Sequence, residues 1–328
     1  MTARPAAGAK GAEAAQYFRP PLAGFGGARP PAPDWFERAL EDAPERSTVE
    51  VQGAAIETLS WGRIGDPGLM LMHGNGAHAD WFSFLAPLLA RQGRRVVALS
   101  FSGMGRSDWR EKYSVAQWAD ETIAVAEASG LFDGPTAPVL AAHSFGGYVL
   151  MTTAARHGQR LRRAIIIDTP LRPPEAIEAQ NERRRERMGG GQSRYYTSEA
   201  DALSRFKLMP PQGCEHPFIA DHIARHSLKP VLDDKGRSVL SWRFDPALFD
   251  NFDFGKPHRD LGQSLCPVVL VRGGRSRLVT PELFDHARAL APPGTPVHEL
   301  ADADHHVMVD QPLSLVRLLA ELADERLG

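Results

Sequence analysis

Val139-Leu140-Ala141-Ala142-His143-Ser144-Phe145-Gly146 is the stretch on which the reading of this 328-residue chain turns. Val139–Ala142 predicts a short buried strand, and the periodicity of Gly146–His157 predicts a helix that follows almost at once. A side chain at Ser144 then stands on a sharp turn with its hydroxyl projecting above the sheet. Strand and helix backbones approach closely at such a turn, so the residues two before and two after it must be small. Ala142 and Gly146 meet that condition. A helix N-terminus also favours negative charge developing nearby. Ser144 is therefore the candidate nucleophile.

Outward from this turn the chain keeps one rhythm. Upstream, Val49–Val51 and Ala54–Trp61 alternate as strands, and Gly68–Met72 and Val96–Leu99 are short apolar runs. Helical periodicity falls on His78–Arg91, through Trp81, Phe84, Leu85, Leu88 and Leu89, and on Val115–Ser129. Downstream, Ala164–Ile167, Pro267–Val271 and Val297–Leu300 predict strands, with helices at Pro281–Leu290 and Leu313–Leu327. Short apolar strands alternating with helices imply an α/β fold with a mostly parallel, doubly wound sheet covered on both faces. The rhythm breaks at Pro170, so residues 171–263 are expected to form a helical cap inserted into a core of residues 47–170 and 264–328. Residues 1–46 read as a Pro- and Ala-rich arm. Its aromatics Tyr17, Phe18, Phe25, Trp35 and Phe36 predict docking, and Asp34 is the expected N-cap of a short helix to Leu40.

Bulk composition narrows the function classes. An apolar fraction of 43 % supports a large core, and a net charge of −2 gives no long-range attraction for nucleic acid or an anionic membrane. No stretch approaches the ~20 apolar residues of a membrane span, and the N-terminus lacks an apolar leader core. Cys214 and Cys266 form no metal-ligand spacing and read as idle thiols of a reducing compartment. The expectation is a cytoplasmic protein, with no metal and no cofactor. A second copy could dock through the arm or the cap.

A serine hydroxyl needs a base to take its proton. The candidate lies in Asp304-His305-His306, after the last predicted strand and before the last helix. His305 follows the strand-to-loop turn directly, whereas His306 leads into the packed Val307-Met308, so His305 is preferred. An oxyanion needs donors already aimed at it. His73-Gly74-Asn75-Gly76 follows a predicted strand, with Gly74 and Gly76 shaping a loop that could turn the Asn75 amide toward a ligand. The amide of Phe145 is the expected second donor.

These residues together resemble the α/β-hydrolase superfamily: His73-Gly74 after one strand, Ser144 in an elbow, and His305 in Asp-His-His-Val-Met-Val-Asp-Gln-Pro. Ser102-Gly103-Met104-Gly105-Arg106-Ser107-Asp108 is similar to that superfamily's loop after the fourth core strand. The resemblance runs from about residue 49 to the end, apart from the cap. It implies an acid just after the strand Pro267–Val271, yet the chain reads Arg272-Gly273-Gly274-Arg275-Ser276-Arg277 there. Some relatives, including haloalkane dehalogenases and certain lactonases, carry the acid at the end of the preceding strand. Here that strand ends Ile166-Ile167-Asp168, which makes Asp168 the expected partner of His305, with Asp302, Asp304 and Asp310 as rivals. Asp310 reads as a cap of the last helix.

The implied activity is hydrolysis of an apolar carboxylic ester or lactone through an acyl-enzyme on Ser144. Cleavage of a carbon–carbon bond or a lyase reaction on the same site is the alternative, and a receptor-like relative with vestigial turnover is a second. A serine at 144 argues against dehalogenase and epoxide hydrolase chemistry, whose nucleophile is an aspartate. Phe206, Met209 and Trp242 are the expected substrate pocket. Arg183, Arg184, Arg185 and Arg187 read as the solvated face of a cap helix, paired with Glu182 and Glu186.

Overall fold

The structure, a computed structural model, describes residues 19–173, 175 and 194–324. Two compact units emerge, one of them much the larger.

The larger unit, within residues 33–193 and 243–328, holds eight strands in one sheet. In chain order they are β1 (Glu45–Val51), β2 (Ala54–Trp61), β3 (Gly68–Met72), β4 (Arg95–Leu99), β5 (Val139–His143) and β6 (Arg163–Ile167). After β7 (Leu228–Leu232) and β8 (Ser238–Trp242), which belong to the smaller unit, come β9 (Val268–Gly273) and β10 (Val297–Leu300). The sheet order is β1-β2-β4-β3-β5-β6-β9-β10. Strand β2 runs antiparallel to β1 and β4, and every other pairing is parallel. Every residue of β3, β4, β5, β6 and β9 is buried, as expected for parallel strands covered on both faces, while the edge strands β1 and β10 are largely open to solvent. The doubly wound, mostly parallel sheet expected from the sequence is the one observed.

Several local expectations change. The run His78–Arg91 is not one helix but a 3₁₀ turn, Ala79–Trp81, and a short helix, Ala86–Ala90. Pro87 sits in that helix's first turn, where a missing N–H costs nothing; farther inside a helix it would clash with the carbonyl four residues back. Trp81, Phe84, Leu85 and Leu89 are nevertheless buried, so the pattern reported burial rather than a continuous helix. Asp34 is the first residue of the helix Asp34–Glu41, not its cap, and Pro33 precedes it without a side-chain hydrogen bond. Asp310, expected as the cap of the last helix, Pro312–Asp324, ends the short helix Val307–Asp310, and its Oδ2 accepts from the Asp304 amide at 2.8 Å, bracing the preceding loop.

The smaller unit comprises residues 194–242 together with the described part of the N-terminal arm, 19–32. It is not purely helical. Helices Glu199–Ser204 and Pro217–His226 accompany the antiparallel hairpin of β7 and β8. The Arg225 guanidinium donates to the Gly27 carbonyl at 2.7 Å, so the described part of the arm contacts its own chain. Residues 33–46 and 243–263 group with the sheet. Among the described residues, no helix is long and apolar enough to cross a membrane.

Candidate functional site

Ser144 joins β5 to the helix Phe145–His157 without an intervening loop, at φ 54° and ψ −121°. A non-glycine residue reaches that conformation only where its surroundings hold it. Its amide donates to the Ile167 carbonyl at 2.8 Å, and its own carbonyl accepts from the Gly147 amide at 2.9 Å and the Thr169 hydroxyl at 2.8 Å. The closeness demanded of position 146 is real: a Cβ there would lie 2.5 Å from the His73 carbonyl oxygen.

Two other strand ends bring their residues to this point. His305 Nε2 lies 2.9 Å from Ser144 Oγ, and His305 Nδ1 lies 2.7 Å from Asp168 Oδ2. The imidazole and the carboxylate are buried, their side chains 2 % and 0 % exposed. With Nδ1–H donating to the carboxylate, Nε2 presents its lone pair to the serine hydroxyl. Asp168 follows β6 at φ 45° and is gripped from β9's end: the Gly273 amide donates to Oδ1 at 2.8 Å, and the Ser276 hydroxyl to Oδ2 at 2.6 Å. The His306 ring packs between its neighbours, 4.9 Å from the His305 ring, 5.6 Å from that of His143 and 5.4 Å from Trp81, centroid to centroid. Of the rival acids, Asp302 pairs with Arg275 at 2.6 Å and Asp304 accepts from the His305 amide at 2.8 Å.

His143, which the sequence reading passed over, ties the histidine loop to the elbow. Its Nε2 is 2.8 Å from the His305 carbonyl, and burial holds its pKa well below the ordinary value, so a neutral ring donates that bond. The only signal in the sequence was its place beside Ser144.

The loop His73–Gly76 abuts the serine. A Cβ on Gly74 would stand 3.0 Å from Ser144 Cβ. His73 is fully buried, which lowers its pKa to about 3. Its Nε2 accepts from the Phe101 amide at 3.0 Å, so the proton sits on Nδ1, which donates to the Gly74 carbonyl at 2.7 Å. Fixing that carbonyl fixes the Asn75 N–H of the same planar peptide. The Gly76 amide points instead at Met104 Sδ, 3.3 Å away, with Gly76 itself at φ 68°.

Around Phe145 stands an aromatic group that the sequence reading did not single out. Phe249, Phe252 and Phe254 approach its ring with centroids 5.5–5.7 Å away, beside Trp118 and Tyr148. Three phenylalanines in six residues were the available signal. The expected pocket residues behave differently. Phe206 and Trp242 pack on one another at 5.8 Å within the smaller unit, with Trp242 half-buried and its Nε1 donating to the Tyr196 hydroxyl. Met209 is 65 % exposed. Arg183, Arg184, Arg185 and Arg187, with Glu182 and Glu186, lie outside the described residues. Among the described residues, His143, His305 and His306 form a group whose ring nitrogens fall within 4.8 Å of one another, the donor type that suits zinc or copper.

The model of the family described as "Alpha/beta hydrolase family" matches residues 69–318. An esterase of Mycobacterium tuberculosis is 26 % identical over 297 residues, 88 % of this chain and 93 % of its own. A 2-hydroxymuconate semialdehyde hydrolase of Pseudomonas sp. (strain CF600) is 32 % identical over 136 residues, 39 % of this chain and 45 % of its own. Among solved structures, a thioesterase domain from the curacin biosynthetic pathway superposes with TM-score 0.69 at 22 % identity. That match covers 86 % of this chain and 99 % of the domain, and at such identity it speaks for the fold alone.

Proposed function

We propose that this chain, which belongs to the alpha/beta hydrolase family, is a serine hydrolase that cleaves an apolar carboxylic ester or lactone through an acyl-enzyme on Ser144. The observation that carries this reading is the unbroken hydrogen-bond series Ser144 Oγ, His305 and Asp168, at 2.9 and 2.7 Å. Nucleophile, base and orienting acid stand in the order that acyl transfer requires.

In the proposed reaction His305 Nε2 takes the Ser144 proton as Oγ attacks the ester carbonyl. Asp168 holds the imidazole in the Nδ1–H tautomer and stabilises the imidazolium that forms. The amides of Asn75 and Phe145 receive the oxyanion, the first oriented by the His73–Gly74 bond and the second at the positive end of the helix Phe145–His157. His305 then hands its proton to the leaving alcohol. Water, deprotonated by the same nitrogen, attacks the acyl carbon and frees Ser144. Phe145, Phe249, Phe252 and Phe254 supply an apolar wall beside the nucleophile, which favours an apolar acyl group.

Matching of the sequence to semialdehyde hydrolases, over about a third of the chain, keeps cleavage of a carbon–carbon bond as the second reading. A panel of p-nitrophenyl esters, lactones and ring-cleavage diketones separates the two. Ester or lactone turnover, with fluorophosphonate labelling at Ser144, is the expected result. Diketone cleavage without turnover of any ester or lactone overturns it.

A further inference from the structure

Glu57, on β2, is a buried acid to which the proposed reaction assigns no part. Both of its oxygens are engaged. Oε2 accepts from the Ser100 hydroxyl at 2.7 Å and from the Arg106 amide at 2.9 Å, while Oε1 receives Arg46 Nη1 and faces Arg106 Nε at 3.4 Å. Arg46, from the edge strand β1, reaches a second acid at the same time. Its Nη2 donates to Asp80 Oδ1 at 2.8 Å and its Nη1 to Asp80 Oδ2 at 3.3 Å. One guanidinium thus joins two buried carboxylates, and their hydrogen bonds offset the cost of taking those charges out of water. The crowding at this point dictates Gly105: a Cβ there would stand 2.8 Å from Glu57 Oε2 and 2.3 Å from Ser100 Oγ.

The groups held in this way flank the Asn75 amide on both sides. Ser100 Oγ, which donates to Glu57, accepts from the Ala79 amide at 3.0 Å, and Arg46 grips Asp80 one residue farther on. The segment so pinned includes Ala77, whose amide donates back to the Gly74 carbonyl at 3.3 Å. That carbonyl shares a peptide plane with the Asn75 N–H. On the other side the Gly76 amide points at Met104 Sδ, 3.3 Å away. Met104 belongs to the loop whose Arg106 amide and Ser107 hydroxyl are tied to Glu57, the second accepting from the Glu57 amide at 2.8 Å. We infer that Glu57 and Arg46 are positioning residues for the oxyanion loop His73–Gly76. They act on the Asn75 amide through Ser100, Asp80 and the Met104 loop, rather than on the reacting atoms. A donor displaced by about 1 Å can cost on the order of 10²-fold in rate, which is the scale on which such bracing matters.

This inference rests on the acyl-transfer reading above, in which the Asn75 amide receives the oxyanion. The experiment uses the full chain in four forms: parent, Arg46→Met, Arg46→Lys and Glu57→Gln. For each, kcat and KM for one p-nitrophenyl ester, the inhibition constant of an alkyl trifluoromethyl ketone and the melting temperature are measured. Ser144 Oγ adds to the ketone carbon, and the ketone oxygen then sits as an anion facing the same amides, so its affinity reads the oxyanion donors directly. Arg46→Met is expected to lower kcat about tenfold or more, with KM unchanged within about twofold, and to weaken the ketone by the same factor as kcat. Arg46→Lys keeps the charge without the fork that spans both acids, and is expected to fall between Arg46→Met and the parent. Glu57→Gln is expected to lose at least as much as Arg46→Met, because it also loosens Ser100 and Arg106. Arg46 is only half-buried, so its variants decide the matter whether or not Glu57→Gln folds. A merely structural pair would lower the melting temperature and leave kcat and ketone affinity unmoved. Parent-like kcat and ketone affinity in a folded Arg46→Met protein, or a raised KM with kcat unchanged, overturns the inference. A parent that is neither labelled by fluorophosphonate nor inhibited by the ketone instead overturns the acyl-transfer reading itself, so the two failures are told apart.

Discussion

β5 and β6 are neighbours in the sheet, paired in parallel with His143 opposite Ile167, and each ends in a residue forced to positive φ. The two ends are otherwise unlike. β5 turns at Ser144 straight into a helix, so its key residue is framed by a pattern that local sequence displays: strand, small residue, serine, small residue, helix. β6 ends at Asp168 and continues into Thr169-Pro170, with no helix directly behind it. What holds Asp168 arrives from more than a hundred residues away, at Gly273, Ser276 and His305. A residue positioned by its own neighbours is legible in sequence. One positioned by distant loops shows itself only through the order of strands.

The sharpest way to break this comparison is to remove each end's functional group. Ser144→Ala is expected to lower ester turnover by about 10⁴-fold or more and to abolish fluorophosphonate labelling, since no other group supplies the nucleophile. Substantial labelling of that variant would remove Ser144 from the mechanism. A smaller loss is expected where the group acts by orienting a backbone donor. His73→Phe keeps an apolar ring but loses the bond to the Gly74 carbonyl, and kcat should fall about 10–100-fold with KM little changed. An unchanged kcat would mean that the Asn75 amide does not depend on His73.

Much of the site was legible for this reason. Ser144 and the loop His73–Gly76 each sit directly after a strand that an apolar run discloses, His305 stands in the loop between the last strand and the last helix, and Asp168 followed from the gap left at Ser276. Other parts were not. For Phe206 and Trp242 the sequence does not separate two roles, because clustered aromatics look alike whether they pack a small unit or line a cavity; in the structure they pack on each other, and Trp242 on Tyr196. The helix at 78–91 was misjudged because burial on all sides mimics helical periodicity, and Pro87 was the residue that contradicted it. The hairpin β7–β8 was missed among Pro and charged residues, since β7 is a half-exposed edge pair that includes Pro230.

Acid stability sharpens the comparison in another way, because the β5 end is built around neutral rings. His73 and His143 both have pKa values lowered by burial, His73 to about 3. In the unfolded chain they titrate near 6.5, so below that pH the unfolded state binds more protons than the folded one. Their contribution to stability is complete above about pH 6.5 and is lost as pH falls toward the folded values. Each ring adds a slope of up to about 1.4 kcal/mol per pH unit in that window. Urea unfolding between pH 6.5 and 4.5 should therefore be shallower in pH for His143→Gln by about one proton. An identical slope would show that His143 is not held neutral.

The smallest expected effect concerns the two left-handed residues themselves. Ser is poorly suited to φ 54° with ψ −121°, whereas Asp tolerates φ 45° better because its side chain can bond locally or be held by partners. Comparing Gly with Ala at each position isolates the backbone cost, since both lack the functional group. At Ser144 the Gly variant should be more stable than the Ala variant by about 1 kcal/mol, the scale of one strained residue reduced by glycine's extra chain entropy. It should also equal or exceed the parent, because the serine hydroxyl's one contact in the site is with His305 Nε2 and its loss leaves that nitrogen open to the reaction face. At Asp168 the order of Gly over Ala should persist, but both variants should fall below the parent, because the Gly273 amide, the Ser276 hydroxyl and the His305 Nδ1–H all lose a buried acceptor. Chemical denaturation of the four variants measures the difference. Stabilisation at both positions would mean that the carboxylate's three hydrogen bonds are worth less than the strain beneath them.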